Sequence, residues 1–185
     1  MKLRTLFVVL LSFVAMSVSA QKLKPSPVFL KGEKQINVIF DYSKVIFDRD
    51  PQKEYYLSKG ADWVEEWEGQ RRINNATSFN SNVNDELKKL SIYVGDYPDA
   101  KYTIIVEVLN CDFGAFAGPF SVPAKAQCTM KIVETGKTEV LSSVTLKESQ
   151  NPYTVIGTPI DFDRIFLAFG EVGEEFGEKL VKALK

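Results

Sequence analysis

The clearest hydrophobic pattern in the chain is Tyr102–Leu109 (YTIIVEVL), where β-branched residues fill positions on both faces. A run apolar on both sides predicts a central strand. Around residues 124–133 the pattern becomes alternating. Ala126, Cys128, Met130 and Ile132 interleave with Lys125, Gln127, Thr129 and Lys131, giving a strand with one buried and one wet face. Ile36–Phe40 reads as a shorter strand. Two segments instead carry the helical period. Phe79, Val83, Leu87 and Leu90 recur every three or four residues, with Asn80, Asn84, Asp85, Lys88 and Lys89 facing away. Ile165, Phe169, Val172, Phe176, Leu180 and Ala183 form the stripe of a helix over about 162–184. Gly170, Gly173 and Gly177 lie beside that stripe. Each costs roughly 1 kcal/mol relative to Ala inside a helix, so together they predict a close approach of this helix to the sheet.

Turn chemistry supplies the boundaries. Asp50-Pro51 is a helix-start signal. A broken helical region follows, stopping near Gly60 and resuming around Trp63, Val64 and Trp67. Gly95–Asp99 is a turn cluster. Read as a three-residue loop, Glu134-Thr135-Gly136 sets Val133 opposite Lys137, Met130 opposite Val140 and Ala126 opposite Val144, with Gly136 left-handed. The resulting order is β-α-α-β-β-β-α. It predicts an α+β fold with a small mixed or antiparallel sheet of about four strands and helices on one face. A single domain over 35–185 follows an extended lead-in at 21–34.

The N-terminus alters the expected location. Lys2 and Arg4 precede an apolar run, and Val18 and Ala20 stand at −3 and −1 of a cleavage site, which predicts a signal peptide over 1–20. The run is short for a membrane span, and no later segment is apolar enough to be one. The cleavage region has no Cys to carry a lipid, so the expected destination is the periplasm or the exterior. The leader contains two cations and no acid, so a net charge of −1 becomes −3. No nucleic-acid partner follows from that balance. The chain has no histidine, which excludes Ser-His and Cys-His nucleophiles and the commonest metal ligand. Cys111 and Cys128 are too few for a zinc site. Strand parity puts Cys111 on the Glu107 face and Cys128 on the buried face, which disfavours a disulfide although the compartment permits one.

Several candidate sites reduce to ordinary structure. One of Asp161 and Asp163 reads as a cap for the last helix, rather than the two as catalytic or calcium-binding carboxylates. Glu171, Glu174, Glu175 and Glu178 form a solvated acidic face. Trp63 and Trp67, one turn apart, could clamp a sugar or aromatic ligand but fit packing better. Asn75-Ala76-Thr77 matches a glycosylation sequon, and Gly157-Thr158-Pro159 lacks the lysine of a phosphate loop. The segment 113–123 (FGAFAGPFSVP) stands apart, being uncharged and carrying Phe113, Phe116, Phe120 and Val122. Connecting loops are ordinarily polar surface. It either folds back as a satellite core or presents an apolar patch to a protein, a lipid surface or an apolar ligand.

Three segments carry a resemblance: DAKYTIIVEVL (Asp99–Leu109), KIVETGKTEVL (Lys131–Leu141) and DFDRIFLAFGEVGEEFGEKLVKAL (Asp161–Leu184). Across about 35–184 the chain resembles small exported proteins of Bacteroidetes-type bacteria. It is also loosely similar to the α/β domain of envelope-assembly lipoproteins and of TolB-like N-terminal regions. The missing lipid-anchor Cys departs from the lipoprotein pattern. The resemblance implies no catalytic residue. The expectation is an exported, non-enzymatic binding or envelope-assembly module without cofactor or metal, whose partner is a protein or another envelope component. A carrier or sensor of a small apolar or saccharide ligand is the alternative, and a carboxylate-dependent hydrolase the third.

Overall fold

The computed structural model describes residues 21–151 and 160–185 of the 185-residue chain. The expected leader and the Gly157-Thr158-Pro159 turn lie outside the described residues. The fold is α+β, but the described sheet has seven strands rather than about four. They are β1 (Gln35–Asp41), β2 (Ile46–Phe47), β3 (Asp50–Pro51), β4 (Tyr93–Gly95), β5 (Tyr102–Asp112), β6 (Lys125–Glu134) and β7 (Ser142–Ser149). Helices α1 (Gln52–Lys59), α2 (Ala61–Glu66) and α3 (Arg72–Leu87) lie between β3 and β4, and α4 (Asp161–Leu184) follows β7. The additional strands are two or three residues long, too short to show a period.

β5 is central. β1 runs parallel to its first half, from Asn37 opposite Thr103 to Asp41 opposite Glu107. A turn then interrupts the strand, with the Asp41 carboxylate accepting from Ser43 N at 2.8 Å. β2 resumes on the same side of β5, with Phe47 opposite Cys111. β4 lies parallel outside β1 and β3 antiparallel outside β2. On the other side of β5, β6 and β7 complete an antiparallel ribbon.

One face of the sheet is covered by α3 and α4. Ile36, Ile104, Val106, Val108, Cys128, Met130, Ile132, Val144 and Leu146 are buried, as are Phe79, Phe169 and Phe176 of the helices. Phe40 meets Phe79 edge-on at 5.5 Å and Phe169 at 6.3 Å. The other face is mostly polar, with Ile39 opposite Ile105 as an apolar pair on it. At its middle Glu107, almost fully covered, pairs with Lys44 at 2.9 Å and Lys131 at 2.8 Å. Thr129 and Thr145 hydroxyls meet across β6 and β7 at 2.8 Å.

Three expectations are corrected here. First, Met130 faces Val144 and Ala126 faces Glu148, so even positions still meet but four residues further on. The connection runs from Thr135 to Leu141, with Gly136 at φ 79° inside a tighter turn closed by Lys137 N donating to the Glu134 carbonyl. Parity constrains which face a strand shows, not how long its loop is. Second, the glycines of α4 meet α3, not the sheet. A Cβ on Gly173 would strike the Phe79 carbonyl, and one on Gly177 would lie 2.8 Å from Glu86 Cβ. Third, Asp50 caps nothing. Pro51 is the N-cap of α1, no side chain bonds that end, and Asp50-Pro51 forms β3. The lead-in at 21–34 packs onto the domain. Leu23 and Leu30 are buried, and Lys24 exchanges two 3.0 Å backbone bonds with Ser143 of β7.

Candidate functional site

The loop between β5 and β6 takes its form from a bulge. Pairing with β6 passes from Val108–Cys128 to Asn110–Gln127, which inserts one residue into β5 and reverses its parity. Cys111 therefore turns to the helix-covered face opposite Ala126. Both cysteines are buried there as free thiols, which overturns the opposite-face expectation. Burial pushes both thiols up from their ordinary acidity. The pairs Val108–Cys128 and Cys111–Ala126 make the two thiols neighbours on one face across the bulge.

The same reversal carries Phe113 inward. Its ring is 3% exposed. It is surrounded by Phe47, Tyr55, Trp63, Trp67 and Phe162 at centroid distances of 6.2, 6.1, 5.9, 5.8 and 6.2 Å. Phe113 is thus corrected from a candidate contact residue to a core residue. Trp63 and Trp67 stack on each other at 5.7 Å within this cluster, Trp67 fully buried and Trp63 packed against the core. Their rings are occupied by neighbouring rings.

The backbone at Phe113 is held from both sides. Phe113 N donates to Asp48 Oδ1 at 3.0 Å, and Arg164 Nε donates to the Phe113 carbonyl at 3.0 Å. Arg164 sits in the first turn of α4, is 1% exposed, and also pairs with Asp161 at 2.5 Å. Asp161 is therefore an ion-pair partner rather than a cap, and Asp163 lies 3.6 Å from Arg71. Among the described residues no side chain caps α4. Sequence reasoning missed Arg164. Its signal is an Asp–Arg pair at i, i+3 beside an apolar stripe, a spacing common on exposed helix faces. Asn75 of the sequon is buried in α3, out of reach of a glycosylating enzyme.

Beyond this base the loop is a small hairpin. Gly114, at φ 63°, makes the first turn, and a Cβ there would strike the Val122 carbonyl. Ala115 and Val122 then exchange backbone bonds of 3.0 and 2.8 Å. At the tip the Ser121 hydroxyl accepts from Ala117 N at 2.9 Å and donates to the Gly118 carbonyl at 2.7 Å. The tip side chains face outward. Phe120 is 85% exposed, Val122 48% and Phe116 44%. Ile160, just ahead of α4 and four residues before Arg164, is also exposed.

Among the described residues no cluster of three or more potential ligands could hold a metal, and no helix is long and apolar enough to cross a membrane. No protein-family model and no curated relative matches the chain. Among solved structures it is similar to a PelC dodecamer from Paraburkholderia phytofirmans, at 8% identity over 84% of this chain and 96% of that one, with a TM-score of 0.46. It is also similar to a Xanthomonas campestris protein of the DUF330 family, at 16% identity over 56% of this chain and 59% of that one, with a TM-score of 0.34.

Proposed function

We propose that the chain is an exported, non-enzymatic binding module of the cell envelope that docks through the tip of the 113–123 hairpin. The observation that carries this reading is the split within the loop. Its base is fixed by Arg164, Asp48 and an aromatic cluster, while Phe120, Val122 and Phe116 project beyond it. A rigid support under exposed rings is the arrangement expected of an anchor, because little ordering remains to be done on contact. The leader-like N-terminus and the resemblance to exported envelope proteins support the location.

The test is fractionation of cells expressing the tagged chain, followed by pull-down from envelope extract, with Phe116→Ser/Phe120→Ser as the variant. The expected outcome is wild-type stability in urea together with loss of envelope association. Unchanged association would refute the docking role.

A further inference from the structure

The tip has a second property that narrows the partner. Between Phe113 and Ala124 there is no charged residue. The backbone donors are largely satisfied within the loop or its base. Phe113 and Gly114 donate to the carboxylates of Asp48 and Asp112, and Ala115 and Val122 donate to each other's carbonyls. Ala117 donates to the Ser121 hydroxyl, Phe120 to the Ala117 carbonyl and Ser121 to the Gly118 carbonyl. Pro119 and Pro123 have no N–H to satisfy. The Ser121 hydroxyl, the loop's one polar side-chain group, is itself consumed internally.

A protein groove offers hydrogen-bond partners to a visiting loop, so a loop that meets one need not satisfy its own amides. Hydrocarbon offers none, and each unpaired amide carried into it costs several kcal/mol. An uncharged tip with most of its amides internally bonded and with Phe116, Phe120 and Val122 exposed matches that second requirement. Charge returns only at the base of the hairpin, where Asp112 of β5 stands opposite Lys125 of β6. We infer that the tip inserts into the interfacial region of a lipid bilayer, making the module a reversible peripheral membrane binder. This rests on the docking reading above and names its partner.

The experiment is co-sedimentation of residues 21–185 with protein-free phosphatidylcholine vesicles, and with vesicles containing phosphatidylglycerol. In parallel, tryptophan emission of Phe120→Trp is read against wild type. Binding to phosphatidylcholine alone, a blue shift confined to Phe120→Trp, and at least about tenfold weaker binding of Phe116→Ser/Phe120→Ser are expected. The single variant Phe120→Ser guards against misfolding, because that ring is 85% exposed, and it should weaken binding in the same direction. No binding to either vesicle, or equal binding of the double variant, overturns the inference. Binding only to phosphatidylglycerol vesicles also overturns it, because that would be electrostatic adsorption elsewhere on the surface. If the vesicles fail while the double variant still loses envelope association in cells, the docking reading stands and the partner is a protein. If envelope association is unaffected by the double variant, both fall.

Discussion

Phe113 and Phe120 stand seven residues apart in one uncharged stretch, and their surroundings are opposite. The first is 3% exposed and ringed by five aromatic side chains; the second is 85% exposed and touches none of them. Composition does not separate them, whereas backbone geometry does. The bulge at Val108–Asn110 puts Phe113 on the inner face, and the Ala115–Val122 bridge then carries the chain away from the core. A single loop thus holds both a foundation and a contact element, and hydrophobicity alone marks neither.

The sharpest way to break this contrast is to truncate both rings. Phe113→Ala should cost about 3–5 kcal/mol, as core Phe losses do, and Phe120→Ala should stay within about 0.5 kcal/mol of wild type. Urea midpoints measure both, and similar values would show the loop to be one uniform region. Next in size is the contact that sets α4 in place. Gly173→Leu should cost on the order of 1–3 kcal/mol, because the new side chain meets the backbone of Phe79. Gly170→Ala should be milder, since its neighbours, Ser78 Oγ at 2.9 Å and Asn82 Nδ2 at 3.1 Å, are side-chain ends able to rotate. A raised midpoint for Gly173→Leu would contradict the close helix contact.

Arg164→Ala tests the base from the other side. It leaves the Phe113 carbonyl without its guanidinium donor, worth roughly 1–3 kcal/mol, and should speed exchange of the Ala115 and Val122 amides. Slow exchange in that variant would show that the hairpin stands without its clamp.

The smallest effect belongs to the polar sheet face. Hydrogen bonds from Lys131 and Lys44 hold the Glu107 carboxyl below its ordinary value of 4.5. A depressed folded-state value adds stability above that ordinary value and loses it as pH falls through the folded value. Glu107→Gln should therefore flatten the acid limb of the stability curve below about pH 4.5, by a few tenths to about 1 kcal/mol. An unchanged limb would show that the trio contributes nothing.

Long periodic elements were legible in the sequence, and local irregularities were not. β5, β6, α3 and α4 declare themselves through runs of eight or more residues, enough to fix a period. β2, β3 and β4 are too short to show one, and each exists because a neighbour pairs with it. Val94 of β4, for instance, is held at both its N–H and its carbonyl by the Asn84 side chain, at 2.7 and 2.9 Å. Helical period alone puts Asn84 facing away from the core. The inserted residue in β5 has no sequence mark either, and without it strand parity puts Cys111 on the wrong face. At the site, Phe116, Phe120 and Val122 were identifiable as an uncharged apolar group. Arg164 was not, because its role depends on a carbonyl 51 positions away.

The two sides of β5 also differ in how soon they can form. On one side, β6 and β7 follow β5 directly in sequence, through the 113–124 and 135–141 connections, so that ribbon needs only local loop closure. On the other, Asn37 of β1 must find Thr103 across an intervening stretch that contains α1, α2 and α3. Parallel pairing over such a separation is slow. Refolding should therefore protect the amides of 125–149 in pulse-labelled hydrogen exchange before those of 36–41. The polar face centred on Glu107 would then be the last part of the sheet to close, because Lys44 arrives only with β1.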